Sequence, residues 1–138
     1  MCVALRPYYL PREFNQLHVF LTYIPPDANA EEASNIVYET VQSMSISSPD
    51  SPKIILGDVN HCEQLLSEVL STFSRCVNEP TRGNRILDQC YCSIPKSYKS
   101  LIRPAIGNSD HNVVHLLPKY RQKLKTMKPI KKRRKSVG

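Results

Sequence analysis

No apolar run in the 138-residue sequence approaches the ~20 residues that a membrane-spanning helix requires. The N-terminus also lacks the order of charged, apolar and small residues that makes a signal peptide, so a soluble intracellular protein is the expectation. No internal repeat divides the chain. Acidic residues are absent from positions 119 to 138, which hold ten basic ones. The formal net charge of +7 therefore belongs to a tail, and the body before it carries a mildly acidic net charge of −3. A uniformly basic nucleic-acid-binding body is thereby excluded. The five cysteines (Cys2, Cys62, Cys76, Cys90, Cys92) are odd in number and lack a secretory context, so reduced thiols are expected rather than a disulfide framework.

What is present is ordinary for a packed domain: 41% hydrophobic and 22% charged residues, which excludes a chain disordered throughout. The length sets one domain, expected at 1–118, followed by a basic tail at 119–138 with too little apolar content to fold. Within the domain, Leu17 to Ile24 is β-branched and aromatic and stops at Pro25-Pro26, which predicts a strand with Tyr23 at its mouth. Asn29 and Glu32 resemble a capping box. Ala33, Val37, Val41 and Met44 then recur at helical spacing, predicting a helix over 30–46. Lys53 to Gly57 is a continuous apolar run of the kind buried on both sheet faces. A short helix is expected over 63–71 with Leu66, Val69 and Leu70 inward, a turn at 81–84, a strand at 86–93, a loop from Pro95 through Gly107, and a last strand over 113–117.

Acidic and amide side chains next to strands draw attention, because a strand fixes their position while the loop beyond admits a substrate. Asp58 and Asn60 follow the 53–57 run and would share a side if the strand continued. Asp88 follows Leu87, and Ser109-Asp110-His111 precedes the last strand. Three carboxylates, an amide and an imidazole are sufficient to orient a water, hold a hard divalent cation and engage a phosphate. Singly, each has a plainer reading: an Asp after a strand is commonly a turn residue or helix cap, and a lone His is commonly just partly buried. The ordered set is what carries information.

That set, Y-I-P at 23–25, G-D-V-N at 57–60, L-D at 87–88 and S-D-H at 109–111, resembles the endonuclease/exonuclease/phosphatase superfamily, which includes deoxyribonuclease I and the apurinic/apyrimidinic endonucleases. The flanking text, Y-Y-L-P-R-E-F, Y-I-P-P-D-A-N-A, I-L-G-D-V-N-H-C, L-D-Q-C-Y and S-D-H-N-V-V-H-L-L-P-K-Y, is similar to the endonuclease domain of vertebrate LINE-type retrotransposon proteins over residues 5 to about 125. The resemblance implies an α/β (α+β type) fold, a partial four-layer αββα sandwich. It implies Mg2+, with Mn2+ as a substitute, and duplex DNA as substrate. Asp58 would deprotonate the attacking water, Asn60 would hold that water and a phosphate oxygen, His111 would donate to the phosphate, and Asp88 would fix its tautomer. Tyr23 would bond the phosphate and Asp110 would lie at the metal.

The chain departs from the family pattern at Val59, where Phe is usual, and at Pro26, where many relatives carry Asn. The family's strands bearing an Asn and a metal-binding Glu would precede Met1, so the resemblance implies the C-terminal half of the domain. Such a half would expose apolar sheet and self-associate or pair with a complementing N-terminal half. The tail carries no polymerase motif, and K-K-R-R-K at 131–135 suits a nuclear import signal or a nucleic-acid clamp. A zinc site from the cysteines with His61 or His111 is disfavoured, because no second closely spaced cysteine pair accompanies Cys90 and Cys92. The rival function is a non-catalytic nucleic-acid-binding or interaction remnant that uses the tail.

Overall fold

The computed structural model describes residues 1–7, Leu10 and 14–120. Of the expected tail, 121–138, including the K-K-R-R-K run, lies outside the described residues. The chain folds as a mixed α/β unit in the order β1 (Cys2–Leu5), β2 (Leu17–Tyr23), α1 (Ala30–Ser47), β3 (Lys53–Asp58), a 3-10 turn (Asn60–Cys62), α2 (Glu63–Val69), β4 (Ser74–Arg75), β5 (Asp88–Cys92), β6 (Tyr98–Arg103) and β7 (Val113–Pro118). Five strands make one sheet in the order β1-β2-β3-β5-β4, and β6-β7 form a separate two-stranded ribbon. Among the described residues only β2 and β3 run parallel, which the intervening helix α1 allows; the other pairings are antiparallel.

Helix α1 starts where its sequence says it should. The Asn29 side chain accepts a hydrogen bond from the Glu32 backbone N–H at 3.0 Å, satisfying one of the orphan donors of the first turn. Val41 is buried, and Ala33, Val37 and Met44 pack beside it against Phe20, Ile55 and Tyr91 of the sheet, with Leu66 and Leu70 from the second helical segment completing this layer. Alternation along the strands sends Ile54, Cys90 and Cys92 to the opposite face, where they meet Tyr98, Ile102, Val114 and Leu116 of the ribbon. The central strand β3 is thus covered on both sides, as its unbroken apolar run requires. Each fully buried Ile or Leu here contributes about 1.5–3 kcal/mol. The ribbon is also tied by polar bonds: Ser100 Oγ donates to the Cys76 carbonyl at 2.8 Å, and Cys92 Sγ lies 3.0 Å from Ser97 Oγ.

Two further buried polar side chains, Lys53 and Gln89, are compensated in the same manner. Lys53 is buried, but its ammonium donates to the Ser48 and Ser51 carbonyls at 2.7 and 2.6 Å, closing the loop between α1 and β3. Burial pushes its pKa below the ordinary lysine range, with the Asp50 and Cys2 charges pulling the other way. Gln89 reproduces a strand edge with its amide: Oε1 accepts from Val77 and Cys90 N–H at 3.1 and 3.0 Å, and Nε2 donates to the Val77 carbonyl at 3.1 Å.

Three sequence expectations are corrected. Residues 98–103, expected within a loop, form β6, because alternating Tyr98, Ser100 and Ile102 face the sheet once β7 supplies a partner. The strand at 53–58 does not continue to Asn60. Val59 has φ −106° and ψ 0°, is buried in the helix-side core, and Asn60 turns at φ 47° into the 3-10 segment. The strand expected over 86–93 is shorter and begins at Asp88, since Leu87 offers its carbonyl to the Val59 N–H at 2.8 Å instead of joining the ladder. The ribbon leaves part of the sheet uncovered: Leu5, Leu21 and Tyr23, on the ribbon-facing side of β1 and β2, are exposed. Among the described residues, no helix is long and apolar enough to cross a membrane.

Candidate active site

Strand register assembles the first part of the site. Tyr23 on β2 lies beside Asp58 on β3, and Asp58 lies beside Asp88 on β5, so one row across three strands carries a phenol and two carboxylates on the ribbon-facing side. Gly57 is what allows β2 and β3 to approach this closely just before Asp58. Its φ is +147°, and a Cβ there would stand 1.7 Å from the Thr22 carbonyl oxygen. The glycine of G-D-V-N is therefore a packing requirement that places the carboxylate after it.

His111 reaches the row from the turn before β7. Its backbone N–H is held by Ser109 Oγ at 3.1 Å, which explains a serine two residues upstream. Nδ1 donates to Asp88 Oδ2 at 2.7 Å. Nε2 is left pointing toward Asp58 Oδ2 at 3.7 Å and Asp110 Oδ1 at 3.9 Å, too long for direct hydrogen bonds. The bond to Asp88 raises the His111 pKa above the ordinary imidazole value, burial opposes this, and the charges of Asp88, Asp58 and Asp110 add to the rise. Asp58, Asp88 and His111 present ligand atoms within 4.8 Å of one another, so the trio could hold a metal ion. An O, O, N donor set of this kind suits a divalent cation.

The remaining expected residues lie around this trio. The Asn60 backbone N–H bonds Asp58 Oδ1 at 3.1 Å, and its side-chain Nδ2 donates to the Ile24 carbonyl at 2.7 Å, so the amide fixes the end of β2 against the Asp58 turn. Tyr23 is 67% exposed. Asp110 stands outside the trio and makes an ion pair with Arg82, NH2 to Oδ2 at 2.7 Å. The cysteines take no part: Cys62 sits in the helix-side core, while Cys76, Cys90 and Cys92 sit in the ribbon-side core, all as free thiols.

Thr81 and Arg82 are residues that the sequence reading passed over as a turn. Thr81 is fully buried, and its Oγ1 accepts from both Leu87 and Asp88 N–H at 3.1 Å. Its carbonyl accepts from Asn112 N–H at 2.7 Å. One threonine thus ties the start of β5, which carries Asp88, to the residue after His111. The available signal was its position just ahead of the Ile86-Leu87-Asp88 run; the hydroxyl's double role is not visible in sequence. A scan against protein-family models finds no match, and no curated protein or solved structure matches the chain either.

Proposed function

We propose that this chain carries the acid–base centre of a metal-assisted phosphodiesterase of the endonuclease/exonuclease/phosphatase type, acting on duplex DNA as the LINE-type endonucleases do. The observation that carries this reading is the orientation of His111: Nδ1 is fixed by Asp88 at 2.7 Å while Nε2 faces Asp58 across a 3.7 Å gap. A carboxylate that holds one imidazole nitrogen fixes the tautomer and stabilises the charged ring, leaving the other nitrogen to donate to a phosphate oxygen. The raised pKa of His111 favours its donor form. Asp58 accepts the proton of the attacking water, with Asn60 holding the turn that positions it and Tyr23 bonding the phosphate. The layering of helices, sheet and ribbon supports a partial αββα sandwich.

Asp58, Asp88 and His111 are spaced so that they could hold a metal ion, but with His111 protonated as the donor the cation would be held by carboxylate oxygens, those of Asp58 with Asp110 beside it. Bound Mg2+ or Mn2+ would supply positive charge to the developing phosphate and leaving-group oxygens. The test is nicking of supercoiled plasmid in Mg2+, by the chain alone and by the chain mixed with the N-terminal half of a LINE-type endonuclease. Nicking in either arm that is lost in Asp58→Asn and His111→Ala supports the reading. DNA binding without nicking in both arms, abolished by removing residues 121–138, favours the non-catalytic remnant instead.

A further inference from the structure

The trio and Asp110 place three carboxylates around one imidazole, a setting that repels a phosphodiester anion unless cations offset it. Among the described residues, one guanidinium makes an ion pair with a carboxylate of this cluster: Arg82, bonded to Asp110 Oδ2 at 2.7 Å. The other oxygen of that carboxylate is the one 3.9 Å from His111 Nε2, so Arg82 stands a single carboxylate's width from the nitrogen expected to meet the phosphate.

The backbone beneath Arg82 is tied down, while its side chain is half exposed. Thr81, immediately before it, is bonded to Leu87, Asp88 and Asn112. Arg82 and Arg85 exchange backbone hydrogen bonds at 3.1 and 2.9 Å, closing a tight turn that Gly83 permits with φ +54°. Beyond this base the Arg82 side chain is 50% exposed and its partner Asp110 64% exposed. A carboxylate and a phosphate present similar pairs of oxygens to the planar guanidinium fork, so the same arm can exchange one for the other.

We propose that Arg82 is a phosphate-binding residue of this site, held on Asp110 in the free protein and transferred to a non-bridging oxygen of the bound phosphodiester. This rests on the phosphodiesterase reading and adds to it a substrate contact. The test uses the full 15N-labelled chain in EDTA, titrated with a thymidine dinucleotide that contains a single phosphodiester, and followed by NMR. Binding that shifts the His111 and Asp58 amides and the Arg82 Nε–H supports the proposal if Arg82→Gln weakens it about tenfold and Arg82→Lys, which keeps charge without the fork, recovers only part of the loss. Binding at the same amides with affinity unchanged within about twofold in Arg82→Gln overturns the proposal and leaves the phosphodiesterase reading standing, because a charge-assisted bond is worth more than that. No shift at Asp58, Asp88 or His111 in the unsubstituted chain overturns the Arg82 proposal, while the phosphodiesterase reading, which adds Mg2+ and the N-terminal half, is decided separately by the nicking assay.

Discussion

Replacing Gly57 by Ala probes the strand contact on which the placement of Asp58 depends. The added Cβ would sit 1.7 Å from the Thr22 carbonyl oxygen and 2.7 Å from its carbon, both backbone atoms that no rotamer change can move away. Reaching an ordinary carbon–oxygen separation of about 3.3 Å requires β2 and β3 to part by roughly 1.5 Å. That opens the ladder where Thr22 and Tyr23 pair with Gly57 and Asp58. Two weakened backbone bonds at about 1 kcal/mol each, with about 1–3 kcal/mol for a side chain held at this φ, give a cost of about 3–5 kcal/mol. Gly83→Ala is the matched control, since its φ is +54° but its Cβ would meet nothing within 4 Å. It carries only the conformational term, about 1–2 kcal/mol. Urea unfolding followed by circular dichroism measures both, with midpoints compared at equal slope. A Gly57→Ala cost no larger than that of Gly83→Ala would refute the close approach of β2 and β3.

Other outcomes follow from individual contacts. Because the folded-state pKa of His111 is raised above its ordinary 6.5, its contribution to stability is full below that value and is lost as pH rises through the folded pKa. Asp88→Asn should lower the His111 pKa in an imidazole NMR titration and flatten that part of the stability profile; an unchanged titration contradicts the 2.7 Å bond. Gln89→Ala strips the partners from the Val77 N–H and carbonyl and should cost about 2–3 kcal/mol in urea unfolding, whereas a cost under about 1 kcal/mol would mean that water replaces the amide. Nine cations lie between 121 and 138. If about six of them meet phosphates, deleting this segment should reduce the slope of log affinity against log salt by about 5, and an unchanged slope would place the DNA contacts in the folded body.

The elements legible in sequence are those whose own residues decide them. β2 and β3 are continuous apolar runs closed by Pro25-Pro26 or opened after Pro52, and α1 has both its cap and its stripe. The ribbon strand β6 was not legible, because Tyr98, Lys99, Ser100 and the residues after them alternate weakly and become a strand only through the register with β7. β1 and β4 are too short to show a period. The site divides in the same way. Strand-adjacent positions of Asp58, Asp88 and His111 could be read from residues, and the family resemblance suggested their roles. Their meeting depends on β5 lying beside β3 and on the ribbon folding back, which are facts of topology. Asn60 shows the limit most clearly: a continued strand would have set it parallel to Asp58, but the buried Val59 ends the strand and the amide turns to the Ile24 carbonyl. Thr81 and Arg82 act through contacts spanning up to 31 positions along the chain, from Thr81 to Asn112, and nothing local in a turn sequence reports them.

The proposed attack of water on a phosphodiester at Asp58, Asp88 and His111 can be followed by isotope incorporation. Plasmid would be nicked in Mg2+ and H2(18)O by the chain with the complementing N-terminal half present, and the new phosphate ends analysed by mass spectrometry. One solvent oxygen is expected in each new phosphate end, together with loss of those ends in Asp58→Asn. Unlabelled phosphate ends, or labelled ends formed equally well by Asp58→Asn, would contradict it.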